Sequence, residues 1–392
     1  MTLVVHIAIV SSVILLWIKL CGGQISPQYV VPDIVHQTYD YQNPNFFLFL
    51  SILTVQRFMK PSKHILWVND EGRYRKMHWD GWQKRAQPGS WEFEFAQYIR
   101  NNTIEAKLLT FPASPPGNAS TFAPNKAHRS DFVRMQALLE QGGMYLDTDV
   151  FALKPLTELR IHEFTLSFDN IVNPDRAASK RLNNGVLLSA PNASFLRLWM
   201  KEYAHFNPQS FDYDSSVVPF KLAADYPDLV NIEWNRIAPV SYGFQTARFA
   251  DTLSCGLYHP TSLSIHTPAY DHAARRYTLA STKPSVAVVK RLQNKLLLHL
   301  TMSQVRGTSM LRRQLNSPDE LAKMPSYLGH IFRLAYYGQD DFDYEALHAA
   351  SEAERLAAYT KCREFLGMHT PPDQLQDHEQ HLPWFRQQYV SD

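Results

Sequence analysis

The 392-residue chain has only three cysteines and no Cys-x-x-Cys pair, which excludes a thiolate zinc centre and a disulfide-built scaffold. It has no charge excess of note, with 39 Lys+Arg against 37 Asp+Glu and a net charge of +2. No bulk electrostatic case for a nucleic-acid partner remains. It also lacks internal repeats, low-complexity tracts and any clear apolar run of the about 20 residues that a membrane helix wants. Nothing basic precedes its first apolar segment, so charge asymmetry does not orient that segment.

The composition is that of a globular protein, 45% hydrophobic and 19% charged, with aromatics at 12%. Residues Leu3 to Ile18 are apolar apart from His6, Ser11 and Ser12. The stretch is short for a span and long for a signal-peptide core of about 7–15 residues. Two readings stand: an uncleaved signal anchor, or a signal cleaved near Gly23. Both send the rest into the secretory pathway, and three sequons agree, at Asn101, Asn118 and Asn192. Cys255 and Cys362 are either one disulfide in an oxidising lumen or two buried thiols.

Along the chain, residues 33–39 (DIVHQTY) read as a first strand and residues 64–69 (HILWVN) as a second. Between them Phe46, Phe49, Leu50, Leu53 and Phe58 recur at helical spacing. Strand, helix, strand with short links is a βαβ unit, hence a parallel sheet and an α/β fold. Residues 73–85 mix basic and aromatic side chains and read as a solvated loop anchored by tryptophans. Further elements are expected at 91–100 (helix), 104–111 (strand), 163–168 (strand), 184–189 (strand), 194–205 (helix) and 294–301 (strand). Amphipathic patterns after residue 317, including 345–365, predict helices in a separate cap or tail.

The richest stretch is residues 125–156, NKAHRSDFVRMQALLEQGGMYLDTDVFALKPL. His128, Phe132, Met135 and Leu139 fall on one helical stripe, and Asp131 and Arg134 lie three apart on the next. An acid and a base so spaced read first as a surface ion pair. Gly142-Gly143 then ends the helix with a left-handed cap. Met144, Tyr145 and Leu146 form a short buried strand whose exit carries Asp147 and Asp149. Ligands collect at the carboxyl ends of strands in open α/β sheets, and paired carboxylates there suit a hard divalent cation.

Ser-Asp-x-x-Arg followed at fixed spacing by Gly-Gly-x-Tyr-x-Asp-x-Asp resembles the sugar-nucleotide region of family 32 glycosyltransferases. These include α1,4-galactosyl- and α1,4-N-acetylglucosaminyltransferases and fungal mannosyltransferases. DIVHQTY resembles that family's opening strand, NNGVLLSAP (183–191) the segment after the metal motif, and LHLTMSQVRG (298–307) its closing His-containing strand and loop. Relatives commonly carry a Trp soon after that His; here Met302 stands nearby.

The resemblance implies a GT-A fold, Rossmann-like around a mostly parallel sheet. It covers a single catalytic domain at 32–307; the residues around it read as a signal anchor or signal peptide at 1–22, a short stem at 23–31 and a C-terminal helical extension at 308–392. It implies a retaining, metal-dependent transfer of a hexose or N-acetylhexosamine from a nucleotide sugar, UDP-linked by preference, to a glycan or glycolipid. The cofactor is Mn²⁺ or Mg²⁺. The place is the Golgi membrane, single-pass type II with a lumenal domain, or alternatively the secreted fraction. Asp147, Asp149 and His299 are the implied metal ligands. His36, Gln37, Tyr39, Asp131, Arg134, Asp147 and Ser303 are the implied donor-binding residues. Asp169 and Asn184 are candidates to face the reacting carbon. The alternatives are an inactive sugar-binding protein of the same fold and a metal-dependent phosphate-ester hydrolase.

Overall fold

The computed structural model describes residues 28–40, 43–69, 80–115, 126–168, 181–208, 210, 212–233, 236–237, 255, 257–259, 264–266, 269–271, 276–278, 294–300 and 315–365. Strand β1 (Ile34–Tyr39) leads to helix α1 (Phe46–Thr54), which runs on through a π-helical turn, Val55–Met59, into β2 (Lys63–Asn69). Helix α2 (Trp91–Arg100) precedes β3 (Glu105–Leu109), and α3 (Lys126–Gln141) precedes β4 (Gly143–Leu146). Then come β5 (Val150–Ala152), β6 (Phe164–Phe168), β7 (Leu182–Ser189), α4 (Ser194–Glu202), α5 (Val218–Asp225) and β8 (Asn231–Glu233). Two short antiparallel pairs follow, β9 (Leu257–His259) with β10 (Ser264–His266) and β11 (Ala269–Asp271) with β12 (Arg276–Thr278). Strand β13 (Leu297–His299) and helices α6 (Pro318–Ala322), α7 (Tyr327–Tyr337), α8 (Tyr344–Ala349) and α9 (Glu352–Phe365) complete the described chain.

Seven strands form one sheet in the order β3-β2-β1-β4-β7-β6-β8. Strands β1, β2, β3 and β4 are mutually parallel, β6 and β8 are parallel, and β7 runs antiparallel to both β4 and β6. The mostly parallel α/β sheet expected of a GT-A fold is therefore present. The strand order reverses at β1, which has β2 on one side and β4 on the other. The crevice beyond the carboxyl ends of β1 and β4 is where such sheets bind ligands. Strand β13 pairs antiparallel with β5 outside this sheet, setting His299 opposite Val150.

Helix α1 departs from the amphipathic expectation, because all its residues are buried. Asn45 caps it by accepting from the Leu48 N–H at 2.8 Å. The reason for the burial lies far along the chain. Phe47 of α1 packs edge-on against Phe151 of β5, ring centres 4.9 Å apart, and Phe332 of α7 closes on Phe151 at 4.6 Å. Helices expected as a separate tail thus share a core cluster with α1, β2 and α2. The pattern at 345–365 is also two helices, broken at Ala350-Ser351. Cys255 and Cys362 form a disulfide with Cα atoms 5.6 Å apart, which ties α9 to the central part of the chain. In the described part of the basic aromatic stretch, residues 80–85 are helical rather than loop, and Trp82 packs edge-on against Phe95. No helix among the described residues is long and apolar enough to cross a membrane, and residues 1–27 lie outside that set.

Candidate active site

Helix α3 ends where the glycine pair said it would. Gly142 and Gly143 take φ of +64° and +108°. A Cβ on Gly142 would lie 2.6 Å from Pro191 Cδ, and one on Gly143 would lie 2.5 Å from the Ile34 carbonyl oxygen. Only glycine turns the chain this tightly between helix and sheet. The turn feeds β4, and β4 delivers Asp147 and Asp149 to the switch-point crevice.

Asp147, Asp149 and His299 each offer one ligand atom, and these atoms all lie within 4.8 Å of one another. His299 Nε2 is 3.5 Å from Asp149 Oδ1. The carboxylates are side-chain exposed by 28% and 20%, whereas the imidazole is at 4%. The acids are therefore part-exposed while the histidine closes the back. The His299 Nδ1 is buried without a hydrogen-bond partner among the described residues.

Against Asp147 and His299 stands Gly185 of β7. A Cβ there would sit 2.3 Å from His299 Cε1, 2.8 Å from Asp147 Oδ2 and 2.9 Å from His299 Nε2. Strand β7 reaches this point through a bulge. Leu166 pairs with Leu187 but Ser167 pairs with Asn183, so residues 184–186 have no opposite number on β6. The Asp147 N–H donates to the Gly185 carbonyl at 2.8 Å, and the Gly185 N–H to Asn183 Oδ1 at 2.9 Å. Gly185 was not singled out from sequence; a glycine inside a strand pattern is the signal that marks it.

The Asp131–Arg134 pair is no surface ion pair. Both residues are buried. Arg134 Nη2 lies 3.1 Å from Asp131 Oδ1 and 3.1 Å from Asp147 Oδ1, and Nη1 donates to the Asn184 carbonyl at 2.7 Å. Its guanidinium carbon stands 4.3 Å from the centre of the Tyr145 ring. Asn184 Nδ2 donates to Asp131 Oδ1 at 2.7 Å, and the Tyr145 hydroxyl donates to Asp147 Oδ1 at 2.7 Å. Removal from water raises both the Asp131 and the Asp147 carboxyl above the usual range, although Arg134 pulls each back. Burial also raises the Tyr145 phenol, with Arg134 opposing it. The site thus sets two acids on one arginine.

Other expected donor residues lie elsewhere. His36 and Gln37 are fully buried and bonded inside the protein, and the Tyr39 ring is buried with its hydroxyl donating to the Asn43 carbonyl at 2.7 Å. None of the three presents surface to a base. Asp169 and Ser303 lie outside the described residues, as do Met302 and Arg306. Asn184 is in the site and half-buried, and Asn183 supports the bulge.

Residues 62–166 match the family described as "Glycosyltransferase sugar-binding region containing DXD motif". Over that stretch the chain is similar to glycosyltransferases. The matched region spans α3, β4 and both aspartates, and stops short of Asn184, Gly185 and His299. A glucan organizing enzyme of Cryptococcus neoformans var. grubii is 32% identical over 108 residues, 27% of this chain and 30% of that protein. The aligned part is thus less than a third of the relative's length. Among solved structures, the PaToxG glycosyltransferase aligns with 14% identity over 50% of this chain and 70% of its own, with a TM-score of 0.35. Galactosyltransferase LgtC, in complex with donor and acceptor sugar analogs, aligns with 13% identity over 68% and 87%, with a TM-score of 0.28. Scores this low carry no weight beside the strand order itself.

Proposed function

We propose that the chain is a divalent-metal-dependent glycosyltransferase that moves a hexose or N-acetylhexosamine from a nucleotide sugar, UDP-linked by preference, to a glycan or glycolipid. The observation that carries this reading is the convergence of Asp147, Asp149 and His299 within 4.8 Å at the sheet's switch point. The donor set fits a metal ion. Two carboxylate oxygens and one imidazole nitrogen suit Mn²⁺, with Mg²⁺ the harder, all-oxygen alternative. Gly185 leaves free the space that any side chain would fill. When bound, the cation would offset the negative charge gathering on the departing nucleoside diphosphate.

The chain's own residues supply the rest. Arg134 is held by partners on α3, at the exit of β4 and on β7, so its guanidinium orders Asp131, Asp147 and Asn184 together. Asp131 turns Oδ1 to Arg134 and Asn184, and its other oxygen has no hydrogen-bond partner among the described residues. That oxygen is the acceptor offered to a donor-sugar hydroxyl. The amide of Asn184 reaches from the bulge toward the same point, which suits it to the reacting face. The retaining outcome rests on the family resemblance alone.

The compartment is part of the same proposal: a Golgi membrane protein of type II, its domain lumenal. The apolar segment at 3–18, the exposed sequon residues Asn101 and Asn192 and the Cys255–Cys362 disulfide support an oxidising lumen. The test is release of nucleoside diphosphate by purified protein with Mn²⁺ over a panel of UDP- and GDP-sugars. One donor should turn over, and Asp147→Asn and Asp149→Asn should each abolish most of that turnover. Full activity in both variants would end the proposal.

A further inference from the structure

Three consecutive residues of β1 hold β4 at its entrance, its middle and its exit. His36 Nε2 bonds the Gly142 carbonyl at 2.9 Å, which fixes the turn into β4. Thr38 Oγ1 bonds the Tyr145 hydroxyl at 2.8 Å and also meets Ser130. Gln37 points to the other face of the strand, and its amide nitrogen reaches Ser51 Oγ at 3.0 Å and the Asp147 carbonyl at 3.4 Å. Ser51 in turn donates to the Val150 carbonyl at 2.7 Å. The two carbonyls bound in this way bracket the turn that carries both aspartates.

The Gln37 amide is itself oriented. Its oxygen lies 3.0 Å from His64 Nε2, and His64 Nδ1 lies 2.9 Å from Gln56 Nε2. Both Gln37 amide hydrogens are directed at oxygens, so its own oxygen must accept, and His64 must donate from Nε2. Nδ1 then accepts from Gln56, which is the one arrangement in which every donor meets an acceptor. The His64 ring is buried and its charge is unwelcome there; burial pushes it down to about 3. A neutral ring keeps this single orientation at any physiological pH.

Resting on the metal-dependent reading above, we propose that Gln37 and His64 are positioning residues of the metal site, which fix the Asp147–Val150 turn and so set where the two carboxylates stand. Neither touches a ligand. Gln37 acts on the backbone oxygens of the turn, and His64 acts through Gln37. This gives Gln37 of β1 a different task from contact with a base. Outer partners of metal ligands typically carry about 10–100-fold in metal affinity.

The experiment is Mn²⁺ titration of the full chain, with free Mn²⁺ counted by electron paramagnetic resonance and melting followed in metal-free buffer. Gln37→Met should weaken Mn²⁺ binding by about 10-fold or more, at the lower end of that range. Ser51→Ala, a milder change that helix α1 tolerates, should weaken it several-fold and serves if Gln37→Met fails to fold. Gln37→Met and His64→Leu should be no worse together than Gln37→Met alone, since one acts through the other. Ser326→Ala, which removes the buried cap of α7, should lower the melting temperature and leave Mn²⁺ affinity alone. Mn²⁺ affinity unchanged within twofold in both Gln37→Met and Ser51→Ala, with only stability reduced, would overturn the positioning role. Absence of Mn²⁺ binding by the parent chain would instead overturn the metal-dependent reading, and the proposal with it.

Discussion

Gly185→Ala is the sharpest probe of the site. Gly185 has no left-handed backbone to relieve, so an alanine meets only a question of space. Its Cβ would stand 2.3 Å from His299 Cε1, where ordinary contact begins at 3.4 Å. The ring or the strand must therefore retreat by 3.4 − 2.3, or roughly 1 Å. His299 cannot swing freely, because it is buried and its strand is paired with β5. Overpacking of this kind costs about 1–3 kcal/mol, offset by about 0.4–1 kcal/mol from the stiffer unfolded chain, for a net loss of about 1–2 kcal/mol. The effect on metal is larger in proportion, since ligand distances are set to within about 0.2 Å. Mn²⁺ affinity should fall by about 100-fold or more, on the scale of a lost ligand. Isothermal titration with Mn²⁺ reads this, alongside calorimetric melting. Gly89→Ala is the matched control. Gly89 has φ +86° with nothing within 4 Å of a Cβ, so that variant should lose about 1–2 kcal/mol and no metal affinity. Equal Mn²⁺ affinity in Gly185→Ala and the parent would refute the assignment of this crevice as a metal site.

Three further outcomes follow from the same structure. Burial holds His36 down to about 4 and His64 down to about 3, from 6.5 in the unfolded chain. Their contribution to stability is complete above about pH 6.5 and is lost as pH falls toward those values, because the unfolded chain takes up the protons first. The raised Asp131 and Asp147 carboxyls act in the opposite sense, so the histidine term is isolated by comparison. Between pH 6 and pH 5, urea unfolding of His64→Gln should show a slope shallower than the parent by about 1.2 kcal/mol per pH unit; parallel slopes would exclude the neutral buried ring. Phe332→Ala removes the ring that closes on Phe151 and should cost about 3–5 kcal/mol in chemical denaturation, with a value near zero contradicting the shared core. Cys362→Ala should cost about 2–5 kcal/mol and leave Cys255 alkylatable on unfolding where the parent's is protected; equal stability and equal alkylation of Cys255 in parent and variant would mean that the pair does not form.

The parts of the site legible in the sequence were those encoded locally. The glycine pair, the strand after it and the two aspartates sit within a few residues of one another, and helix and strand periods reveal them. The Asp131–Arg134 pair shows the boundary of that method. Its spacing is visible, but its burial depends on Asn184 and the β7 bulge, fifty residues on. His64 reads as one histidine in an apolar strand. Its meaning appears only when parallel pairing brings Gln37 beside it, and no local signal encodes that approach. The C-terminal helices were legible as helices and illegible in their place, because the surface that they cover belongs to α1 and β5.

Phe332 has a consequence for how the molecule comes into being. The ring that seals Phe47 and Phe151 is made long after them during synthesis. The acidic turn beside Phe151 therefore emerges from the ribosome without its backing, and a nascent chain halted before α7 carries an apolar wound next to Asp147 and Asp149. A fragment cut to residues 62–166 would lack both Phe47 and Phe332 around Phe151, and should aggregate.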